Sequence, residues 1–307
     1  MALVFFGTPR FAVPSLQALL DAKEEVALVV TQPDKVKGRG HVLSAPPVKE
    51  LALARHLPVV QPEKIRNADF YRELAAITPE FIVVVAYGKI LPVEILGIPV
   101  SGCINVHASL LPAYRGAGPI QRALINGEKI TGVTTMRMDK GMDTGDILLQ
   151  AEVEIMPDDT AETLSERLSV LGAQTLIRTL QGIRAGEVRP VPQSGETSYA
   201  PPLKKEDGRI DWNRSATDLF HFIRGMYPWP AAFCSFNGER IKVVKARFLE
   251  GVAAPGLIVK ASGGELVVGT GKGLLSLLEL QPEGKKSMPA AAFIAGRRIR
   301  EGHEKFS

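Results

Sequence analysis

The sequence predicts an α/β protein: an N-terminal Rossmann-like domain on a largely parallel sheet, followed by a small OB-like β-barrel. Three observations predict it. Over roughly the first 180 residues, short apolar runs rich in Val, Ile and Phe alternate with helical patterns, and that alternation implies right-handed β-α-β units with both sheet faces covered. A polar, proline-bearing run then interrupts the chain at 188–207. After it come five short strand patterns separated by Gly-rich turns, as in a small barrel. The length of 307 residues fits two domains at about 150 residues each.

Taken in order, residues 2–6, 25–31, 81–86 and 102–107 read as buried strands, rich in Val, Ile and Phe and closed by Gly, Pro or polar residues. Helices are predicted between them at 13–20, 48–55, 70–76 and 119–126. Residues 131–138 and 147–155 read as two further strands around a loop rich in Gly and Asp. A long amphipathic helix follows at 160–183, with Leu164, Leu168, Leu171, Leu176 and Leu180 roughly on one stripe. Thr160 is placed as its N-cap, but Thr163 stands where a capping box would have Glu, so the box is incomplete. Pro190, Pro192, Pro201 and Pro202 lie among Gly, Ser, Gln and Lys without periodicity, which predicts an extended linker at 188–207 between domains at 1–187 and 208–307. In the second domain a helix at 216–224 precedes strands at 232–236, 240–248, 256–261, 265–269 and 274–280, with Asn237-Gly238 as a hairpin signal and a short closing helix at 289–295.

Composition excludes several classes. Hydrophobic residues at 45% and charged ones at 23% are those of a folded globular chain. Two distant cysteines, Cys103 and Cys234, without a C-x-x-C, support neither a disulfide framework nor a cysteine zinc site. The apolar run at 2–6 is too short for a signal-peptide core, and the longest one, 81–87, is far below the ~20 residues of a membrane span. The expectation is a soluble cytoplasmic protein with no membrane association. The net charge of +4 is unevenly spread: residues 1–204 carry 21 Lys and Arg against 22 Asp and Glu, whereas 205–307 carry 16 against 11. A basic C-terminal module points either to a polyanionic partner, nucleic acid first, or to a merely solvated basic face.

Gly7-Thr8-Pro9 after the first strand lacks the G-x-G-x-x-G of a dinucleotide site, and the Gly-rich run at 269–273 reads as a hairpin turn rather than a phosphate loop. The richest segment is 103–112. Asn105 and His107, two apart at the carboxyl end of a parallel strand, project to the same side, at the edge where α/β sheets form ligand crevices. An amide donor beside a histidine can stabilise an oxyanion and move a proton; the same pair also suits a half-buried histidine with a backbone partner. Asp139, Asp143 and Asp146, with Gly141 and Gly145, form a tight loop open to turn chemistry, calcium, or one carboxylate reaching His107. Lys35, Lys37 and Arg39 in the polar stretch 32–41 make either a mobile cationic finger that orders on phosphates or a solvated surface loop. His56, His221 and His303 carry no such context.

Together these segments resemble the folate-dependent formyltransferases. The resemblance rests on Phe6-Gly7-Thr8-Pro9, Thr31-Gln32-Pro33-Asp34, Gly38-Arg39-Gly40, Val84-Val85-Ala86-Tyr87-Gly88, Asn105-Val106-His107, Ser109-Leu110-Leu111-Pro112, Arg115-Gly116-Ala117, Pro119-Ile120-Gln121, Asp143-Thr144-Gly145-Asp146 and Pro228-Trp229-Pro230. It covers nearly the whole chain. Ser-Leu-Leu-Pro after Asn-x-His, followed by Asp-Thr-Gly-Asp, is its most specific part; the barrel and the Gly38-Arg39-Gly40 loop point to the branch acting on a charged tRNA. The resemblance implies transfer of a formyl group from 10-formyltetrahydrofolate to the α-amino group of methionyl initiator tRNA, with no metal needed and no obligate protein partner. It implies Asn105, His107 and Asp143 as catalytic residues, Ser109, Leu110, Leu111 and Pro112 as the lining of the folate cleft, and Lys35, Lys37 and Arg39 as tRNA contacts. Two alternatives remain at this level: formyl transfer to a small amine, and a tRNA-binding protein without activity.

Overall fold

The chain, described by a computed structural model over residues 2–37 and 42–307, divides into two compact units. The first comprises Met1–Pro119, Ile130–Glu154 and Ser165–Ala200; the second comprises Ile120–Lys129, Ile155–Leu164 and Pro201–Ser307.

The strands of the first unit are β1 (Leu3–Gly7), β2 (Val26–Val30), β3 (Lys35–Lys37), β4 (Val42–Ser44), β5 (Val59–Val60), β6 (Phe81–Val85), β7 (Cys103–His107), β8 (Ile130–Arg137) and β9 (Ile147–Glu154). The helices up to this point and just beyond are α1 (Val13–Asp21), α2 (Pro47–Ala54), α3 (Ala68–Ile77), α4 (Val93–Leu96), α5 (Pro119–Ile125) and α6 (Ala161–Arg184). Seven strands form one sheet in the order β5-β2-β1-β6-β7-β8-β9. β5, β2, β1, β6 and β7 are mutually parallel; β8 and β9 are added antiparallel. From β1 the chain builds outward through β2 and β5, then returns to the other side of β1 as β6. The switch point for ligand binding therefore lies at the carboxyl ends of β1 and β6, with β7 next to it.

Uninterrupted apolar strands follow from burial on both faces. Leu3, Phe5, Val83, Val85, Ile104 and Val106 pack on one face with Leu16 and Leu19 of α1 and Leu176 and Leu180 of α6. Val4, Phe6, Ile82, Val84 and Cys103 pack on the other with Phe70 and Leu74 of α3 and Ile95 of α4. At the amino ends of the strands, Arg184 closes α6 with a fork of hydrogen bonds to Glu24, just before β2, and to Glu80, just before β6, at 2.6–3.1 Å. The guanidinium is held above its ordinary basicity by Glu24 and then Glu80.

In the second unit, α7 (Ala216–Met226) precedes β10 (Ala232–Phe236), β11 (Glu239–Leu249), β12 (Ile258–Ser262), β13 (Glu265–Gly269), β14 (Leu274–Pro282), β15 (Met288–Pro289) and α8 (Ala290–Ala295). The sheet is antiparallel in the order β10-β11-β14-β13-β12, with β15 on β14. It surrounds Trp212, Leu219, Ile223, Phe236, Ile241, Leu277 and Phe293. The expected barrel is not closed strand to strand: among the described residues no ladder joins β10 to β12. Instead the segment 302–307 bonds to both edges. Ile258 N donates to Glu304 O and Phe306 N to Gly256 O, each at 2.9 Å, while Ser235 and Ser307 exchange both backbone bonds. Phe306, buried against Trp212, Phe236 and Phe293, fixes the segment there.

Three expectations are revised. The stretch 32–41 is not a loop throughout: Lys35–Lys37 pairs antiparallel with Val42–Ser44, Val36 opposite Leu43, a period of two too short to stand out in sequence. The run 188–200 is extended but is not a free linker. Val191 bridges to Ile147 and Tyr199 to Arg115, because its polar groups find backbone partners that water would otherwise supply. The capping box of α6 is complete with a threonine: Thr160 N–H donates to Thr163 Oγ1 at 3.0 Å and Thr163 N–H to Thr160 Oγ1 at 3.3 Å. No helix among the described residues is long and apolar enough to cross a membrane.

Candidate active site

β7 carries the site. Its residues are all buried, and alternation sends Ile104 and Val106 into the core on one face and Cys103, Asn105 and His107 to the other. Cys103 is covered by Ile95 and its neighbours, and burial pushes its thiol up to about 12. Asn105 pairs in register with Val84 of β6 and Met136 of β8. It is 9% exposed, and its side-chain amide makes no hydrogen bond among the described residues. The Asn105 amide is not among the fully enclosed polar atoms that lack a partner, so its hydrogen-bonding capacity is open to a ligand.

His107, 6% exposed, is held from two sides. Its Nε2 lies 3.0 Å from Tyr114 O; a carbonyl only accepts, so Nε2 carries a proton in this arrangement. Nδ1 then faces Asp143 Oδ2 at 3.7 Å. That separation is longer than a hydrogen bond. Of the three loop carboxylates, Asp143 is the one brought to the histidine. Asp139 instead closes its own loop, accepting from Gly141 N and Thr144 Oγ1.

Asp143 has a left-handed backbone (φ 54°), a conformation that persists only when surroundings impose it. Gly116 N–H donates to Asp143 Oδ2 at 2.8 Å. Gly116 has φ 119° and would place a Cβ 2.6 Å from Ala200 O, so only glycine brings this donor so close. Gln193 Nε2 donates to both Asp143 O and Gly145 O at 2.8 Å, while its Oε1 accepts from Arg115 Nε and Nη2 at 3.1 and 2.7 Å. Sequence reasoning missed Gln193 because it lies in the stretch taken for a linker. Arg115 stands in the Arg115-Gly116-Ala117 motif, where the sequence alone assigns it no partner.

The turn after β7 is equally fixed. Thr134 Oγ1 on β8 donates to Ser109 O at 2.7 Å and accepts from Leu111 N at 3.0 Å, and Gln150 Nε2 on β9 reaches Leu111 O and Thr134 Oγ1. Ser109 is buried, and its hydroxyl is spent on Ala113 O. Leu111 is buried, while Leu110 and Pro112 are half-buried. At the switch point, Tyr87 O accepts from Thr8 Oγ1 at 3.2 Å and Gln32 Nε2 at 3.3 Å, tying the ends of β1, β2 and β6 together. Asp34 is locked by Lys49 at 2.8 Å and by Gln61 at 2.8 Å; the Lys49 hydrogen bond first, then Gln61, holds its carboxyl below the usual range. Lys35 is exposed on β3, Lys37 is the last residue of that strand, and Arg39 lies outside the described residues. No group of three or more His, Cys, Asp or Glu among the described residues is arranged to hold a metal ion.

The formyl transferase family model matches residues 1–180, and the model for the formyl transferase C-terminal domain matches 202–298. The methionyl-tRNA formyltransferase of Thermodesulfovibrio yellowstonii is 60% identical over 99% of both chains. That of Pelotomaculum thermopropionicum is 52% identical over 98% of this chain and 97% of its own. The solved N-formyltransferase of Helicobacter canadensis, in complex with folinic acid and dTDP-3-aminofucose, shares the fold at a TM-score of 0.68 and 20% identity, over 90% of this chain and 97% of that one. With both family models matched in sequence order and close relatives aligned from end to end, the chain belongs to the formyl transferase family.

Proposed function

We propose that the chain transfers a formyl group from 10-formyltetrahydrofolate to the α-amino group of methionyl initiator tRNA. The observation that carries this reading is the unpartnered Asn105 amide beside the Asp143–His107 pair, in a chain 60% identical along its length to a methionyl-tRNA formyltransferase. The substrate amine attacks the formyl carbon directly, so no side chain forms a covalent intermediate. As the new C–N bond forms, the formyl oxygen gains negative charge and Asn105 donates to it, a contribution worth several kcal/mol at such sites. His107, fixed by Tyr114 O, brings an imidazole whose protonated form offsets that charge. Asp143 takes the ammonium proton and returns it to the folate nitrogen as the old C–N bond breaks. Ser109, Leu110, Leu111 and Pro112 shape the folate cleft through the turn that Thr134 and Gln150 hold. Lys35, Lys37 and Arg39 meet the acceptor end of the tRNA. The basic residues at 208–307 hold its acceptor arm. The reaction as written needs no metal.

The test is a formyl-transfer assay with 10-formyltetrahydrofolate and charged initiator or elongator methionyl-tRNA. Rapid formylation of the initiator alone is expected. Absence of transfer to both, with folate still bound, would move the acceptor to a smaller amine and leave the chemistry of β7 in place.

A further inference from the structure

The outer face of β10 and β11 collects cations around an aromatic ring. Burial alternates along β10, with Ala232, Cys234 and Phe236 inward and Phe233 and Ser235 outward. Phe233 pairs in register with Lys242, and Ser235 with Arg240. The Arg240 guanidinium carbon lies 3.5 Å from the Phe233 ring centroid, a stacked arrangement that leaves the other face of the guanidinium plane for a second π-system. Arg209 is bridged alongside Phe233, with Ile210 N donating to Phe233 O at 2.8 Å. None of Arg209, Arg240 or Lys242 has an ion pair among the described residues. The nearby acid Glu239 is already taken by Arg297 at 2.6 Å.

Just before β10, Trp229 stands 57% exposed, whereas Trp212 is 5% exposed. Pro228 and Pro230 fix the backbone on either side of it, and Ala231 N donates to Met226 O at 2.9 Å to close the turn. A Cβ at position 208 would lie 2.2 Å from Ala231 O. Gly208 thus lets this turn pack on the chain immediately before Arg209. A large aromatic held out in water by a rigid turn, tied to a face of unpaired cations, matches what single-stranded nucleic acid requires: a stacking platform beside phosphate contacts. An acidic protein partner would use the cations but leave the isolated Trp229 without a pocket to fill.

We infer that Trp229 is a base-stacking platform for an unstacked nucleotide of the RNA substrate, and that Arg209, Arg240 and Lys242 contact the adjoining phosphates. This inference rests on the tRNA-directed reading above. It is tested on the full chain by filter binding of uncharged initiator tRNA over a range of salt concentrations, together with steady-state transfer kinetics. Trp229→Ala is expected to weaken binding and raise the KM for charged tRNA by about ten-fold, with kcat and the KM for the folate donor unchanged. Trp229→Phe restores most of the loss, which a structural role in the turn would not explain. Arg240→Gln lowers the slope of log affinity against log salt by about one. Transfer by the wild-type chain with tRNA binding unmoved in Trp229→Ala and Arg240→Gln would overturn the platform and leave the proposed function standing. Failure of the wild-type chain to bind tRNA at all would overturn both.

Discussion

The two ends of the parallel sheet carry polar clusters of opposite character. At the amino ends, Arg184 meets Glu24 and Glu80 with every charged group paired, in a fork whose geometry suits carboxylates. At the carboxyl ends, Asn105 has no partner among the described residues, and His107 and Asp143 stand 3.7 Å apart. The first cluster is paired entirely within the folded chain; the second leaves the Asn105 amide without a protein partner among the described residues. The second is held in place by groups around it, Tyr114 O, Gly116 N and Gln193, while its own chemistry is left incomplete. The first cluster is complete within the fold; the second is restrained yet has hydrogen-bonding capacity to spare, as the proposed function requires.

This contrast can be broken most decisively at Asn105. Asn105→Ala should lower kcat about 10²- to 10³-fold with the melting temperature little changed, because no hydrogen bond within the described residues is lost. Near-normal turnover in a folded protein would assign the oxyanion to another donor. Arg184→Ala should do the reverse. It leaves Glu80, 3% exposed, buried without its cation, at a cost of roughly 3 kcal/mol, the low end for such a deletion because Arg184 is itself a third exposed. A thermal melt should fall by several degrees while kcat, compared well below the melt, is kept. The smallest effect sharpens the comparison from inside β7. Cys103 shares a face with Asn105 but sits in apolar surroundings, with its thiol pushed up to about 12 by burial. Native protein should resist a thiol alkylating reagent at mildly alkaline pH and react only after unfolding, as mass spectrometry would show.

Most of the first sheet was legible because buried parallel strands are short runs rich in apolar residues: 81–86 and 102–107 differ by a residue at an end from β6 and β7. Strands of two or three residues, such as β5 and the β3–β4 hairpin, have no period long enough to read. That Asn105 and His107 share a face was legible from their spacing, since alternation needs no tertiary information, whereas a catalytic role for them came only with the resemblance. Choosing Asp143 over Asp139 and Asp146 required the resemblance, because all three sit in one loop with the same local chemistry. Gln193 was not legible at all. Its partner Asp143 O is 50 residues away, and a glutamine among prolines and glycines has the composition of a connector. The closing of the second sheet was hidden for the same reason, since the segment that bonds to both of its edges is polar except for Phe306.

That segment bears on how the protein behaves in a crowded solution. Unpaired strand edges invite other chains to add to them, and proteins blunt them with charge, prolines or a covering segment. Here residues 302–307 occupy backbone groups at Ser235 on β10 and at Gly256 and Ile258 beside and within β12, so each edge meets part of its own chain before it can meet a stranger's. Shortening the chain by these few residues would leave the groups on β7 untouched, yet turn a self-contained sheet into one with two adhesive margins and an open gap where Phe306 had been.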